Sequence, residues 1–269
     1  MNKILIAAGG TGGHIIPAIS VAQKMKEKNY SILFIGNKNG MEIDIFRKNN
    51  FDFKAIDVQK LYRNFTIKHI LFPFKLAISI IKSIFIIIWF KPDVFFSTGS
   101  FVSGPTGIAA LIMRKPIFIQ EQNSYPGLTN RFLGKFAKTV FLGNKNAQKF
   151  FTFKKCFHSG NPINHNIINS REIEPKKIGL KSQSFKIMVV GGSQGSRIIN
   201  NTIKEILWDL LEQNIEIIWQ AGERNLEKLK KRYNQRDLFV FGFDKDIGSY
   251  YKMADLVITR GGALTIAEL

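Results

Sequence analysis

Short apolar runs recur along this chain, separated by stretches in which apolar residues return every three or four positions. Runs at residues 4–8, 31–35, 93–97 and 116–119 have the length and polarity of buried strands. The helical periodicity between them argues for a parallel sheet covered by helices. The first run ends in Gly9-Gly10-Thr11-Gly12-Gly13-His14, and a helical pattern follows from Pro17 through Val21 and Met25. Proline suits the first turn of a helix, because the N–H it lacks would have no partner there. From residue 185 the same order returns. A run at 185–190 ends in Gly191-Gly192-Ser193-Gln194-Gly195-Ser196, then come a helical stretch at 198–211 and strand-like runs at 216–220 and 256–259. The expected fold class is therefore α/β, in two halves that each open with a strand and a glycine-rich loop. Their expected bounds are residues 1–163 and 164–269, with the polar, charged residues 164–184 as linker.

Residues 70–90 are long and apolar enough to resemble a membrane span. Lys75 and Lys82 lie inside the stretch and Pro73 interrupts its start. Lys68, Lys75 and Lys82 recur every seven positions, near one face of a helix. Leu71, Phe74, Ile78, Ile81 and Phe85 follow a 3-4-3-4 spacing on another face. This is the pattern of a basic, amphipathic helix lying on a membrane surface. An ordinary domain helix with a core-facing stripe and solvated lysines would show the same spacing.

Charge sharpens the question without answering it. Lys and Arg number 39 against 20 Asp and Glu, a formal net charge of +19. Such a surplus favours an anionic partner: nucleic acid, an anionic membrane surface or a phosphorylated ligand. Richness in Lys, Ile, Asn and Phe is also what AT-rich codons produce, so charge alone names no partner. The single cysteine, Cys156, excludes a disulfide framework within the chain and fits a reducing compartment. Residues 1–3 lead directly into a strand-like run without the long apolar segment of a signal peptide, so a cytoplasmic protein is expected.

A glycine-rich turn between strand and helix presents backbone N–H groups at the positive end of the helix dipole, where phosphate binds readily. Each loop alone is also compatible with a plain tight turn. Neither contains the Gly-Lys-Ser/Thr of a P-loop. A dinucleotide site would need a carboxylate at the end of the second strand, and Gly36-Asn37-Lys38 supplies none. His14 closes the first loop, where a side chain that titrates near neutrality can act as general base toward a sugar hydroxyl; it could equally only brace the loop. Glu268 follows Gly261-Gly262-Ala263-Leu264-Thr265 and is expected on the first turn of another helix. There it would either accept hydrogen bonds from both ribose hydroxyls or complement the helix dipole.

Six segments together carry a family resemblance. The first is Gly9-Gly10-Thr11-Gly12-Gly13-His14-Ile15-Ile16-Pro17-Ala18, and the second is Gly99-Ser100-Phe101-Val102-Ser103-Gly104-Pro105. Glu121-Gln122-Asn123 with Gly127-Leu128-Thr129-Asn130, and Gly160-Asn161-Pro162, come next. Gly191-Gly192-Ser193-Gln194-Gly195 and residues 260–268 complete the set. In this order, along the entire chain, they closely resemble the MurG family of glycosyltransferase family 28.

The resemblance implies a GT-B fold, two Rossmann-like domains facing across a cleft. It implies inverting transfer of N-acetylglucosamine from UDP-GlcNAc to the C4 hydroxyl of the muramyl sugar of lipid I, undecaprenyl-pyrophosphoryl-MurNAc-pentapeptide, giving lipid II. By position, Thr11, Gly12 and Gly13 would meet the pyrophosphate or acceptor side, with His14 as base. Asn123, Asn164 and Ser193 would contact substrate. Asp244 lies where the backbone would meet uracil. Ala263, Leu264, Thr265, Ile266, Ala267 and Glu268 would line the donor sugar and ribose, with Glu268 on the ribose hydroxyls. The family's membrane-facing patch falls on the helix at residues 70–80; with the lysine stripe this makes Lys68, Ile70, Phe74, Lys75, Ile78 and Lys82 the expected membrane-association residues, implying peripheral attachment to the anionic cytoplasmic face of the bacterial membrane. No metal, cofactor or nucleic acid is implied, because helix-end amides can stabilise a departing diphosphate without a metal.

Three positions depart from the family's pattern: Asn164 where Arg is common, Gly261 where Ser is usual and Asp244 where an apolar residue is usual. The second half is short for a doubly wound domain of about 150 residues. A truncated donor domain with little or no activity is therefore the expectation, alongside two others: a related GT-B transferase with another lipid acceptor, such as a diacylglycerol, and a non-enzymatic basic binding protein.

Overall fold

The computed structural model describes residues 2–59, 68–151, 155–192, 195–233, 236–244 and 246–269, and for residues 68–70 the backbone only. The chain divides into two compact units, Met1–Asn164 and His165–Leu269.

In the first unit β1 (Lys3–Ala7), α1 (Gly12–Glu27), β2 (Ser31–Asn37), α2 (Glu42–Lys48) and β3 (Asp52–Ile56) precede α3 (Lys68–Phe90). Then follow β4 (Val94–Ser97), α4 (Ser103–Ile112), β5 (Ile117–Glu121), α5 (Leu128–Gly134), β6 (Thr139–Leu142) and β7 (Cys156–His158). The strands form one parallel sheet in the order β3-β2-β1-β4-β5-β6-β7. Strand β1 shows why its sequence is a continuous apolar run. Leu5 and Ala7 enter one core, whereas Ile4 and Ile6 enter the other. Both faces are covered, so the run from Ile4 to Ala7 is apolar throughout, and the one charged residue, Lys3, stands at the partly exposed start. The first core meets Ile87 of α3, Val102 beside α4 and Leu133 of α5. The second meets Ile15 and Ala18 of α1 and Phe46 of α2, with Phe46 stacked on Phe34 at 4.3 Å.

The second unit runs α6 (His165–Ile168), β8 (Lys186–Val190), α7 (Arg197–Glu212), β9 (Glu216–Gln220), α8 (Glu223–Arg232), β10 (Leu238–Phe241), α9 (Ile247–Met253), β11 (Leu256–Thr259) and α10 (Ala263–Glu268). Its four strands are parallel in the order β10-β9-β8-β11. Trp219 is fully buried at its centre, and its indole N–H donates to Asn200 Oδ1 at 3.1 Å.

Three expectations change. Residues 164–184 are not a linker: Leu180 is buried, and Ile173 and Ile178 pack with it against Met188 and Tyr250. Their apolar side chains are diluted among charges, so composition conceals them. Pro17 is not in the first turn of its helix, because α1 already begins at Gly12 inside the glycine loop. Strands β3, β6, β7 and β10 have no counterpart among the expected runs; β3 and β7 are sheet edges whose polar, partly exposed residues interrupt the apolar pattern.

Helix α3 resolves the two readings of its stripe. Leu71, Phe74, Ile78, Ile81 and Phe85 are all exposed, Phe74 by 69%. The covered face is instead Ser79, Ser83 and Ile87. Ser79 Oγ donates to the Asp57 carbonyl at 2.7 Å, and Ser83 Oγ donates to the Ser79 carbonyl at 2.8 Å. Small side chains with internal partners let the helix pack closely on the domain, leaving the larger apolar residues outside. By length and composition Leu71–Phe90 would cross a membrane, but its serine face is built into the first unit.

Candidate active site

The first sheet reverses its winding between β1 and β4, which are neighbours paired at Ala7 and Ser97. Loops leaving two such strands open side by side at their C-terminal ends, the usual ligand crevice of an open α/β sheet. Here they are the loops at residues 9–13 and 99–104. Gly99 runs at φ +94, and a side chain there would meet the His14 ring at 3.3 Å and Asn130 Nδ2 at 3.0 Å. Glycine is what lets the two loops touch.

Thr11 is the N-cap of α1 in extended conformation, and no side chain caps this end. The amides of Gly12 and Gly13 therefore sit at the positive pole of a 16-residue helix, a seat for an anionic oxygen. His14, on the same turn, is half-buried. Its Nδ1 lies 2.9 Å from the Thr98 carbonyl and 3.0 Å from Gln122 Oε1. A carbonyl oxygen only accepts, so Nδ1 carries a proton, and in the neutral ring the lone pair is then on Nε2. Thr98 Oγ1 donates to the His14 carbonyl at 2.7 Å and clamps the residue from its other side.

Two carboxylates brace these loops. Glu42, fully buried at the start of α2, accepts from Gly10 N at 3.2 Å and from Asn37 N at 2.8 Å. The sequence reading missed it, since a glutamate opening a helix reads as an ordinary dipole charge. Glu121, also buried, accepts from the backbone and side chain of Asn123, both at 3.0 Å, and from Asn130 Nδ2 at 2.8 Å. Asn123 is thus held at the end of β5 on the same edge as His14. Asn164 is the last residue of the first unit.

The second unit repeats the arrangement at β8 and β11, paired at Val190 and Thr259. The loops after them, at residues 191–196 and 260–262, start on one edge. Gly195 is at φ +75 with the Ala221 carbonyl 2.3 Å from where a Cβ would stand, so no other residue fits without movement. Ser193 lies outside the described residues. Ala263, Leu264, Thr265, Ile266, Ala267 and Glu268 form α10 directly beyond β11. Glu268 ends this helix rather than beginning it, because the helix starts at its Gly262 N-cap. Gly261 takes φ +66, a conformation that serine would adopt only with strain.

Two adjacent tyrosines of α9 hold the acidic groups. Tyr251 Oη donates to Glu268 Oε2 at 3.4 Å, and Tyr250 Oη donates to Asp244 Oδ2 at 2.7 Å. Burial pushes the Glu268 carboxyl up to about 7, and the Tyr251 hydrogen bond offsets this only in part. Both tyrosine hydroxyls are raised, by burial first and then by the neighbouring carboxylates. Asp244 also accepts from Asp246 N at 2.9 Å, so the unusual residue at this position has local partners. Among the described residues no cluster of three or more His, Cys, Asp or Glu is arranged to hold a metal ion.

Residues 4–142 match the glycosyltransferase family 28 N-terminal domain, and residues 186–269 match the glycosyltransferase family 28 C-terminal domain. A curated relative from Flavobacterium psychrophilum is 39% identical over 273 residues, covering 99% of this chain and 74% of the relative. It is named UDP-N-acetylglucosamine--N-acetylmuramyl-(pentapeptide) pyrophosphoryl-undecaprenol N-acetylglucosamine transferase. A relative of the same name from Syntrophus aciditrophicus is 36% identical, covering 99% of this chain and 74% of its own length. Among solved structures, Acinetobacter baumannii MurG matches with a TM-score of 0.72 at 27% identity, over 100% of this chain and 75% of that one.

Proposed function

The chain belongs to glycosyltransferase family 28, and on that premise we propose that it transfers N-acetylglucosamine from UDP-GlcNAc to the C4 hydroxyl of the N-acetylmuramyl sugar of lipid I, forming lipid II for peptidoglycan. Its two parallel-sheet α/β units are of the GT-B class. The observation that carries the chemistry is the His14 ring, with Nδ1–H given to the Thr98 carbonyl and Nε2 free to accept a proton. As the anomeric C–O bond to UDP breaks, its electron pair goes to the diphosphate. The acceptor O4 forms the new bond from the opposite face, which inverts the anomeric centre. The O4 proton passes to His14 Nε2. Helix-end amides at the glycine loops stabilise the charge left on the diphosphate, the role of an oxyanion hole. Glu268 accepts the ribose hydroxyls, and the loops at residues 191–196 and 260–262 hold the rest of the donor.

Labelled UDP-GlcNAc and lipid I test this directly. We expect label in lipid II, and His14→Ala lowering kcat by about 10²–10⁴-fold with little change in UDP-GlcNAc affinity. Transfer to a diacylglycerol in preference to lipid I would replace the acceptor assignment. Full activity in His14→Ala would remove the base.

The exposed stripe of α3 supports attachment to the anionic cytoplasmic face of the membrane, where lipid I is anchored. Exposed Phe74, Ile78 and Phe85 would enter the headgroup boundary, and Lys75 and Lys82, a turn or two apart on an adjoining face, would meet lipid phosphates.

A further inference from the structure

We infer that Gln122 is a positioning residue that fixes the His14 ring in the tautomer a proton acceptor needs. This rests on the reading of His14 as general base. Gln122 is buried at the end of β5, 108 residues from His14 in sequence. Its amide has one possible orientation. Nε2 donates to the Thr98 carbonyl at 2.9 Å, the Gln120 carbonyl at 3.3 Å and Gln120 Oε1 at 2.5 Å. All three are acceptors only, so Oε1 must be the end that faces His14 Nδ1, at 3.0 Å. Gln120 is fixed in turn: its Nε2 donates to Asn161 Oδ1 at 3.0 Å. Asn161 Nδ2 closes the network by donating to the Gln122 carbonyl at 3.3 Å. A chain of three oriented amides therefore ends on the ring.

Its consequence is chemical. With two acceptors at Nδ1, the alternative tautomer would turn a lone pair onto the Thr98 carbonyl and Gln122 Oε1 together, an electrostatic clash inside the domain. The partner is also neutral. The nearby carboxylates are committed elsewhere, Glu121 to Asn123 and Asn130, and Glu42 to Gly10 and Asn37. Gln122 thus directs the ring without the added attraction that a carboxylate would exert on the imidazolium. The ring can then pass on its proton once the sugar is transferred.

The test uses the full chain with Gln122→Met, which keeps bulk and removes the acceptor, and Gln122→Glu, which replaces it with a charge. Imidazole nitrogen spectra report the tautomer, with His14→Ala identifying the His14 signal among the four histidines. We expect the Nδ1–H form in the wild type and a measurable share of the other tautomer in Gln122→Met, where the Thr98 carbonyl is the one acceptor left at Nδ1. That variant should lose about tenfold in kcat, the scale of one hydrogen bond, with KM for UDP-GlcNAc unchanged. In Gln122→Glu the acid limb of the rate profile should move up by about one pH unit or more, since a carboxylate favours the protonated ring. If Gln122→Glu does not fold, the Gln122→Met spectrum decides. A wild-type tautomer and kcat in folded Gln122→Met, or an unmoved acid limb in folded Gln122→Glu, would overturn the inference while leaving His14 as base. Full activity in His14→Ala would instead overturn the base reading, whatever the spectra show.

Discussion

Glu42 is bonded to Gly10 across 32 residues of sequence: its Oε2 accepts from the Gly10 amide at 3.2 Å while Oε1 takes the Asn37 amide at 2.8 Å. The carboxylate joins the first glycine loop to the end of β2. Gly9, Gly36 and Gly40 make room for it, each lying so close that a Cβ would stand under 3 Å from its side chain.

Replacing Glu42 with Gln should therefore cost more than a lost charge. One of its two acceptors becomes an NH₂ group facing a backbone N–H, and a buried donor loses its partner. About 1–3 kcal/mol of stability should go, with a fall in kcat as the loop carrying His14 loosens. Urea denaturation beside the transfer assay checks this, and wild-type values in both would show that Glu42 is only a filler.

In the second unit Lys186 and Glu216 form an ion pair at 3.5 Å, their side chains 4% and 0% exposed. Glu216 also accepts from Lys181 N at 2.6 Å and from the Ser184 hydroxyl. Lys186→Met leaves that carboxylate buried without its cation, so a loss of about 3–5 kcal/mol is expected. The double variant with Glu216→Gln should recover part of it. A strictly additive double variant in denaturant titration would rule out the coupling.

The proposed ribose role of Glu268 would make donor binding depend on pH. Its carboxyl is raised to about 7 by burial, and the hydroxyls of the proposed ribose would donate to the ionised form. UDP-GlcNAc affinity should rise between pH 6 and 8 (about one unit either side of that value) and Glu268→Gln should flatten the rise. Stability should move the other way. A raised folded-state value means the proton binds the folded chain more tightly, so stability is present in full below the ordinary carboxylate range and declines as pH climbs through about 7. Calorimetric titration and thermal unfolding across that window test both, and a pH-independent affinity would exclude the ribose role.

For α3, Lys75→Gln with Lys82→Gln should weaken binding to anionic vesicles at low salt by about 1 kcal/mol per lysine. Phe74→Ser with Phe85→Ser should weaken it in high salt too, where screening has removed the charge effect. Flotation assays separate the two. Unchanged binding in both variants would leave the exposed stripe without a membrane role.

By itself the sequence determined the class of the fold and the location of its loops. Short apolar runs such as residues 187–190, bounded by glycines, read as strands covered on both faces, and glycines placed where strand turns to helix mark the expected ligand edge. The ordered motifs supplied the family for the same reason: they are local, read within ten residues or so. What only the tertiary structure decided is long-range. Which face of α3 is buried depended on Ser79 and Ser83 finding partners inside the domain, and a periodicity of 3.6 is silent about which stripe does the packing. The proton on His14 was set by Thr98 and Gln122, 84 and 108 residues away, and the bracing of Gly10 by Glu42. A hydrogen bond's direction depends on what lies within about 3 Å in space, and sequence spacing carries no record of that distance once the chain has crossed the sheet.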